Sequence, residues 1–213
     1  SLWFDYVLCG NCLGIRRIEG NCPGCGQPIP PPRRYQIQID DKSEVVGDTF
    51  AGGEGRYEDY VYLTMLEREW LRDISDNDRF LDIYVDKRPS PRAVIILIFW
   101  TYFETRIERL IMHSMCKLPT NISSELLKKN STISDRLFRL YKVLFNTNYF
   151  DDLTDSGFGT IATMLRKLQE IRNDFIHGSP EAIDDVAIEE LIRNLKLEHE
   201  SWIAIYNKRA SQK

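Results

Sequence analysis

The eleven residues from Ala93 to Phe103, AVIILIFWTYF, carry no charge. A helix that is apolar on every face must be covered on every face, so this run belongs either at the centre of a bundle or between two subunits. It falls well short of the roughly 18 consecutive apolar residues that a membrane span needs, and no other stretch of the chain comes closer. The run continues as ETRIERLIMHSM, where charges gather on one side and extend the helix.

The residues that follow keep the same periodicity. In DRLFRLYKVLF, Leu137, Leu140, Tyr141 and Leu144 share one helical face. From about Thr160 to His177, Ile161, Met164, Leu165, Leu168, Ile171 and Phe175 recur at three- and four-residue intervals. A last helix starts near Asp184 and Asp185, acids suited to the positive end of its dipole, and buries Ile188, Leu191, Ile192, Leu195, Trp202 and Tyr206. Between the first two helices lies a polar stretch around Pro119 to Ser131. His113 near a helix end and His199 on a buried face read as packing or surface residues.

The first 33 residues follow other rules. Cys9 and Cys12 (CGNC) and Cys22 and Cys25 (CPGC) form two Cys-x-x-Cys pairs with nine residues between them. That spacing lets four thiolates converge tetrahedrally on one Zn²⁺, as in a zinc ribbon. Gly24 and Gly26 around Cys25 suit the tight turn, and the bridge LGIRRIEGN alternates as a short β-hairpin would. Four protein ligands leave no open position, so the metal is structural. The rival reading, two disulfides in an exported protein, fits poorly with the leftover Cys116 and the lack of a recognisable signal segment. The expectation is a cytoplasmic protein with no membrane association.

Pro28 and Pro30 to Pro32 make a stiff spacer. After it, YQIQID reads as one strand, GGEG as a turn lacking the lysine of a phosphate loop, and Glu58 to Asp73 as a surface helix. Residues 35–88 carry seven more acids than bases, against net charges of +2 for 1–34 and +1 for 89–213. No basic excess marks the chain as a static binder of long nucleic acid, although a small phosphate-reading cleft needs only a few placed cations. Arg16, Arg17, Arg33 and Arg34 either meet phosphate or an acidic partner, or decorate a module that packs on the rest. The organisation is thus a zinc ribbon (1–33), a linker segment with a short strand and one helix (34–88), and a helical domain (89–213). The fold class is mainly α with a small N-terminal β ribbon.

One stretch invites chemistry. RNDFIHG sets Arg172, Asn173 and His177 at a helix end that Gly178 and Pro180 terminate. At 100° per residue, Asn173 lies 100° and His177 140° around from Arg172, so the three flank the buried stripe as an edge. Without function, His177 simply caps the helix where the negative dipole end favours its cation, and Arg172 is a solvated charge.

Within an all-helical setting, the Arg172, Asn173 and His177 pattern, followed by GSP, resembles the signature of the HEPN superfamily (higher eukaryotes and prokaryotes nucleotide-binding domains) over roughly residues 90–207. The resemblance implies a HEPN-like bundle and a metal-independent endoribonuclease site, often at a homodimer interface where two motifs meet. Many such proteins are toxins or antiviral defence effectors, some beside an antitoxin partner. Others are catalytically inactive nucleotide-binding or scaffolding modules, and that alternative stays open here. The residue types suit RNA cleavage: an imidazole moves the 2′-hydroxyl proton near neutral pH, and an arginine fork stabilises charge on phosphoryl oxygens. Asn173 then positions the imidazole or a phosphate. Glu104, on the other long helix, is either an acidic partner to this group or a solvated charge.

Overall fold

The computed structural model describes residues 6–8, 15–17, 21, 26, 28, 33–40, 43–49, 57–74 and 88–210. Two antiparallel hairpins come first: β1 (Tyr6–Leu8) with β2 (Ile15–Arg17), and β3 (Arg33–Asp40) with β4 (Ser43–Thr49). The first pairs Tyr6 with Arg17 and Leu8 with Ile15, so the IRR segment of the bridge lies against the strand that precedes the CGNC pair. The second begins directly after the prolines and is irregular between Gln38 and Asp40. Its return strand, SEVVGDT, carries too weak an alternation to be read from sequence.

Helices make up the rest: α1 (Tyr57–Leu71), α2 (Val94–Ser114), α3 (Thr120–Lys129), α4 (Tyr141–Phe145), α5 (Tyr149–Asp155), α6 (Gly159–Ile176) and α7 (Asp185–Arg209). The described residues are mainly helical, and no helix among them is long and apolar enough to cross a membrane.

The apolar run becomes the first half of α2 and is covered within one chain. Ile95, Ile96, Phe99, Trp100, Tyr102 and Phe103 are buried, and only Val94 and Thr101 open to solvent. Full burial of a large apolar side chain is worth about 1.5–3 kcal/mol, so α2 is the axis around which the others pack. Phe103 meets Tyr149 edge-on at 5.8 Å, Tyr149 meets Tyr141 at 5.6 Å, and Trp202 and Tyr206 of α7 pack at 4.7 Å. Ser90, just before α2, bonds the carbonyl of Ile183 through its amide at 2.8 Å and the Asp185 carboxylate through its hydroxyl, fastening the start of α2 to the start of α7.

Local chemistry sets the helix ends. Asp184 caps α7 by accepting from the Ala187 amide at 2.8 Å, and Asn148 caps α5 by accepting from the Asp151 amide at 3.0 Å. The polar stretch after Pro119 is helix α3, which buries no residue and is supported by a Glu125 to Lys129 pair one turn apart. The DRLFRL segment, Asp135–Leu140, is a wide π-type turn running into α4, and it brings Leu137, Leu140 and Tyr141 into the core together.

Candidate functional site

The last turn of α6 is built from within. Ile161, Met164, Leu165 and Leu168 anchor the helix in the core, with Ile171 and Phe175 partly covered at its end. Arg172 and Asn173 stand at the margin of that stripe, both half-buried. His177 is the C-cap residue, exposed, with its amide bonded to the carbonyls of Asn173 at 3.0 Å and Asp174 at 3.1 Å.

What stops the helix is a Schellman turn. Gly178 adopts φ +103° and donates to Phe175 at 3.3 Å, and the Ser179 amide reaches back to Asp174 at 3.0 Å. The glycine that the sequence marks as terminator takes the left-handed conformation that other residues avoid. His177 is thereby held at a rigid corner.

Arg172 faces α2. Its Nη2 lies 3.8 Å from Oε1 of Glu104, and its Nη1 donates to the Asn173 side-chain oxygen at 3.2 Å. The same Glu104 oxygen accepts from the indole N–H of Trp100 at 2.7 Å. Trp100 is buried, so the carboxylate is oriented by a fixed donor and in turn orients the guanidinium. Glu104, which the sequence left between partner and solvated charge, is thus the partner of Arg172. Arg172, Asn173 and Glu104 are brought together, and His177 sits one turn beyond Asn173 on the same helix.

A groove of about 490 Å³ runs from Glu104 along the outer face of α2, lined among others by Thr105, Glu108, Arg109, Met112, His113 and Arg136. Sequence reasoning missed it because Arg136 arrives from the turn before α4, 28 residues beyond its partner Glu108. The two remaining histidines behave as packing residues. His113 meets the Tyr206 hydroxyl through Nδ1. Burial, with Arg106 nearby, lowers His199 to about 3, so its ring is neutral at physiological pH.

Buried charge, which sequence alone did not signal, lies behind the site. Arg106 of α2 and Glu198 of α7 pair at 2.6 Å, with the guanidinium 4.1 Å from the Tyr102 ring centre. Asp152 of α5 accepts from Tyr141 at 2.5 Å, Lys208 at 2.7 Å and Arg209 at 2.7 Å.

Cys9, Cys12, Cys22 and Cys25 lie outside the described residues. The backbone on either side of each pair is described, and it reverses: Leu8 pairs with Ile15 across the first, and Asn21 bridges Pro28 across the second, where Gly26 has φ +72°. Among the described residues no cluster of His, Cys, Asp and Glu could hold a metal. No family model, no curated protein and no solved structure matches the chain.

Proposed function

We propose that this chain is a metal-independent endoribonuclease of HEPN type, acting as a toxin or antiviral defence effector. The observation that carries the reading is the cluster at the end of α6: Arg172 tied to Asn173 at 3.2 Å and to Glu104 at 3.8 Å, with His177 on the adjoining rigid corner. His177 takes the proton from a ribose 2′-hydroxyl, whose oxygen forms a bond to the neighbouring phosphorus. The bond from phosphorus to the 5′ oxygen breaks, and that oxygen is protonated from solvent. Arg172 neutralises charge on the non-bridging oxygens, where a fixed cation in a partly desolvated edge is most effective. Asn173 holds the guanidinium and has amide N–H donors for a phosphate oxygen.

Incubating the purified chain with a labelled RNA pool in chelator tests this. Products ending in a 2′,3′-cyclic phosphate or its hydrolysis product are expected. His177→Ala and Arg172→Ala should each lose about 100- to 10,000-fold in rate, the usual contribution of a general acid or base. A loss under about tenfold in folded His177→Ala, or efficient cutting of all-deoxy substrate, which has no 2′-hydroxyl, refutes the mechanism.

Two companion proposals complete the reading. Two Cys-x-x-Cys pairs, each flanked by described residues that pair antiparallel, Leu8 with Ile15 and Asn21 with Pro28, suit a structural Zn²⁺ held by Cys9, Cys12, Cys22 and Cys25. The HEPN resemblance further suggests a homodimer joining two His177 edges, and an antitoxin as partner. Because the apolar run of α2 is covered within one chain, the dimer rests on the resemblance alone, and sedimentation at micromolar concentration decides it. The second reading, an inactive nucleotide-binding or scaffolding module, draws on Arg172 already having a carboxylate partner; binding of nucleotide or RNA without cleavage supports that one.

A further inference from the structure

The outer face of α2 repeats the arrangement at its catalytic end. Glu104 faces Arg172 at 3.8 Å, and one helical turn on, Glu108 faces Arg136 at 2.9 Å. In each pair a carboxylate on α2 holds an arginine contributed by another segment. Arg136 is fixed further by its Nε, which donates to the Asn130 carbonyl at 3.1 Å, while Glu108 is nearly half exposed and free to swing toward solvent. Thr101, Glu104, Thr105, Glu108 and Met112 fall within a narrow arc at 100° per residue, forming the floor of the groove. Arg109 and His113 follow on its flank, and at about 1.5 Å per residue the groove runs on the order of 13 Å from Glu104 to His113.

We propose that this groove seats the RNA strand on one side of the cleaved phosphate, with Arg136 meeting a backbone phosphate of that strand. The inference rests on the nuclease reading and names where its substrate runs. Three features select a nucleic-acid strand as occupant. The groove is continuous with the Arg172 edge through Glu104, which belongs to both. Its cations are arginines, whose planar forks match phosphate oxygens. The acid beside Arg136 is nearly half exposed, so Glu108 can turn outward into water when a phosphate takes its place at the guanidinium. A swing of Glu108 frees the Arg136 fork, and its tie to Asn130 keeps the arginine in place.

The test uses the full chain with a dinucleotide and with a single-stranded RNA of about ten residues, the scale of extended single-strand sites. Cleavage is followed in the parent protein, and equilibrium binding in the His177→Ala background. Arg136→Gln should weaken binding of the longer RNA roughly tenfold, as expected for a lost hydrogen bond to a charged group, with a markedly smaller effect on the dinucleotide. The slope of log K against log salt should fall by about 0.7 for the phosphate contact removed. Met112 is half exposed at the far end of the groove, which allows a pair of opposite changes that leave the core untouched. Met112→Glu should weaken the longer RNA and Met112→Lys strengthen it. If both Met112 variants and Arg136→Gln act equally on short and long RNA while cleavage still depends on His177 and Arg172, the groove assignment falls and the nuclease stands. If the parent protein neither binds nor cuts RNA, both fall together.

Discussion

Arg106 and Glu198, 92 residues apart in sequence, meet at 2.6 Å with side chains 2% and 1% exposed. The pair joins the two longest helices, α2 and α7, at their centre. It is incompletely satisfied: Glu198 Oε2 and the Nε and Nη1 of Arg106 make no hydrogen bond among the described residues. Taking two charges out of water costs about as much as their attraction returns, so such a pair specifies which helix meets which more than it adds stability. Removing one partner differs from removing both. Glu198→Ala should cost about 3–5 kcal/mol by stranding the arginine, whereas Arg106→Met with Glu198→Leu should be close to neutral. Urea unfolding monitored by circular dichroism measures both; a double variant as unstable as the single one contradicts the account.

Asp152 fixes the end of α7. Burial alone would raise its carboxyl, but the bonds from Arg209, Lys208 and Tyr141 outweigh this and bring it from 3.8 down to about 2. A carboxyl depressed in the folded state adds stability that is complete above its unfolded value, near 4, and drains away as pH falls toward 2. The amount is about 2 kcal/mol, from the free energy of a pKa unit. Thermal melts from pH 6 down to pH 2 should show this acid limb in the parent protein, while Asp152→Asn should be less stable at pH 6 and lose the limb. A limb that persists unchanged in the variant assigns it to other carboxyls.

At Gly178 the expected cost is purely conformational. An added Cβ would meet nothing within 4 Å, yet φ is +103°. Gly178→Ala should therefore destabilise by about 1–2 kcal/mol and Gly178→Asn by less, since Asn tolerates left-handed backbone better. Both variants also loosen the corner that carries His177, so the RNA cleavage proposed for this edge should fall further than the folded fraction does. Equal melting temperatures for Gly178→Ala and the parent protein would show that the turn relaxes without strain.

Metal analysis of freshly purified protein should return one zinc per chain, and replacing any of Cys9, Cys12, Cys22 or Cys25 by Ser should abolish it. Ready titration of those thiols in the folded, untreated protein contradicts the site.

What the sequence reveals depends on how far apart the interacting residues lie. Helices α2, α6 and α7 are legible because a buried stripe leaves a periodic trace in the residues themselves, and the terminator at Gly178 is legible because one residue type dominates that conformation. Helix α3 leaves no trace of that kind, since it buries nothing. Helix α5 is hidden by its own acids: Asp151 and Asp152 resemble a loop until one serves the Asn148 cap and the other is enclosed by Lys208 and Arg209. Arg106, Glu198 and Asp152 look solvated because a charge is presumed wet until its partner is known, and those partners come from distant helices. The candidate site divides along the same line. The order of Arg172, Asn173 and His177 along one helix is visible in sequence, whereas the choice of Glu104 as carboxylate, and the groove beside it, depend on how α2 lies against α6.

The indole of Trp100 makes the Arg172 edge observable from inside the protein. Its N–H is bound to the carboxylate that faces Arg172, so the electric field at the ring depends on whether that guanidinium stays with Glu104 or turns to a phosphate. Tryptophan emission shifts with local field, and Trp100 is shielded from solvent. The chain thus contains an intrinsic optical gauge of occupancy, readable as the part of its fluorescence that Trp100→Phe removes, and a signal there would report engagement of Arg172 whether or not any bond is cut afterwards.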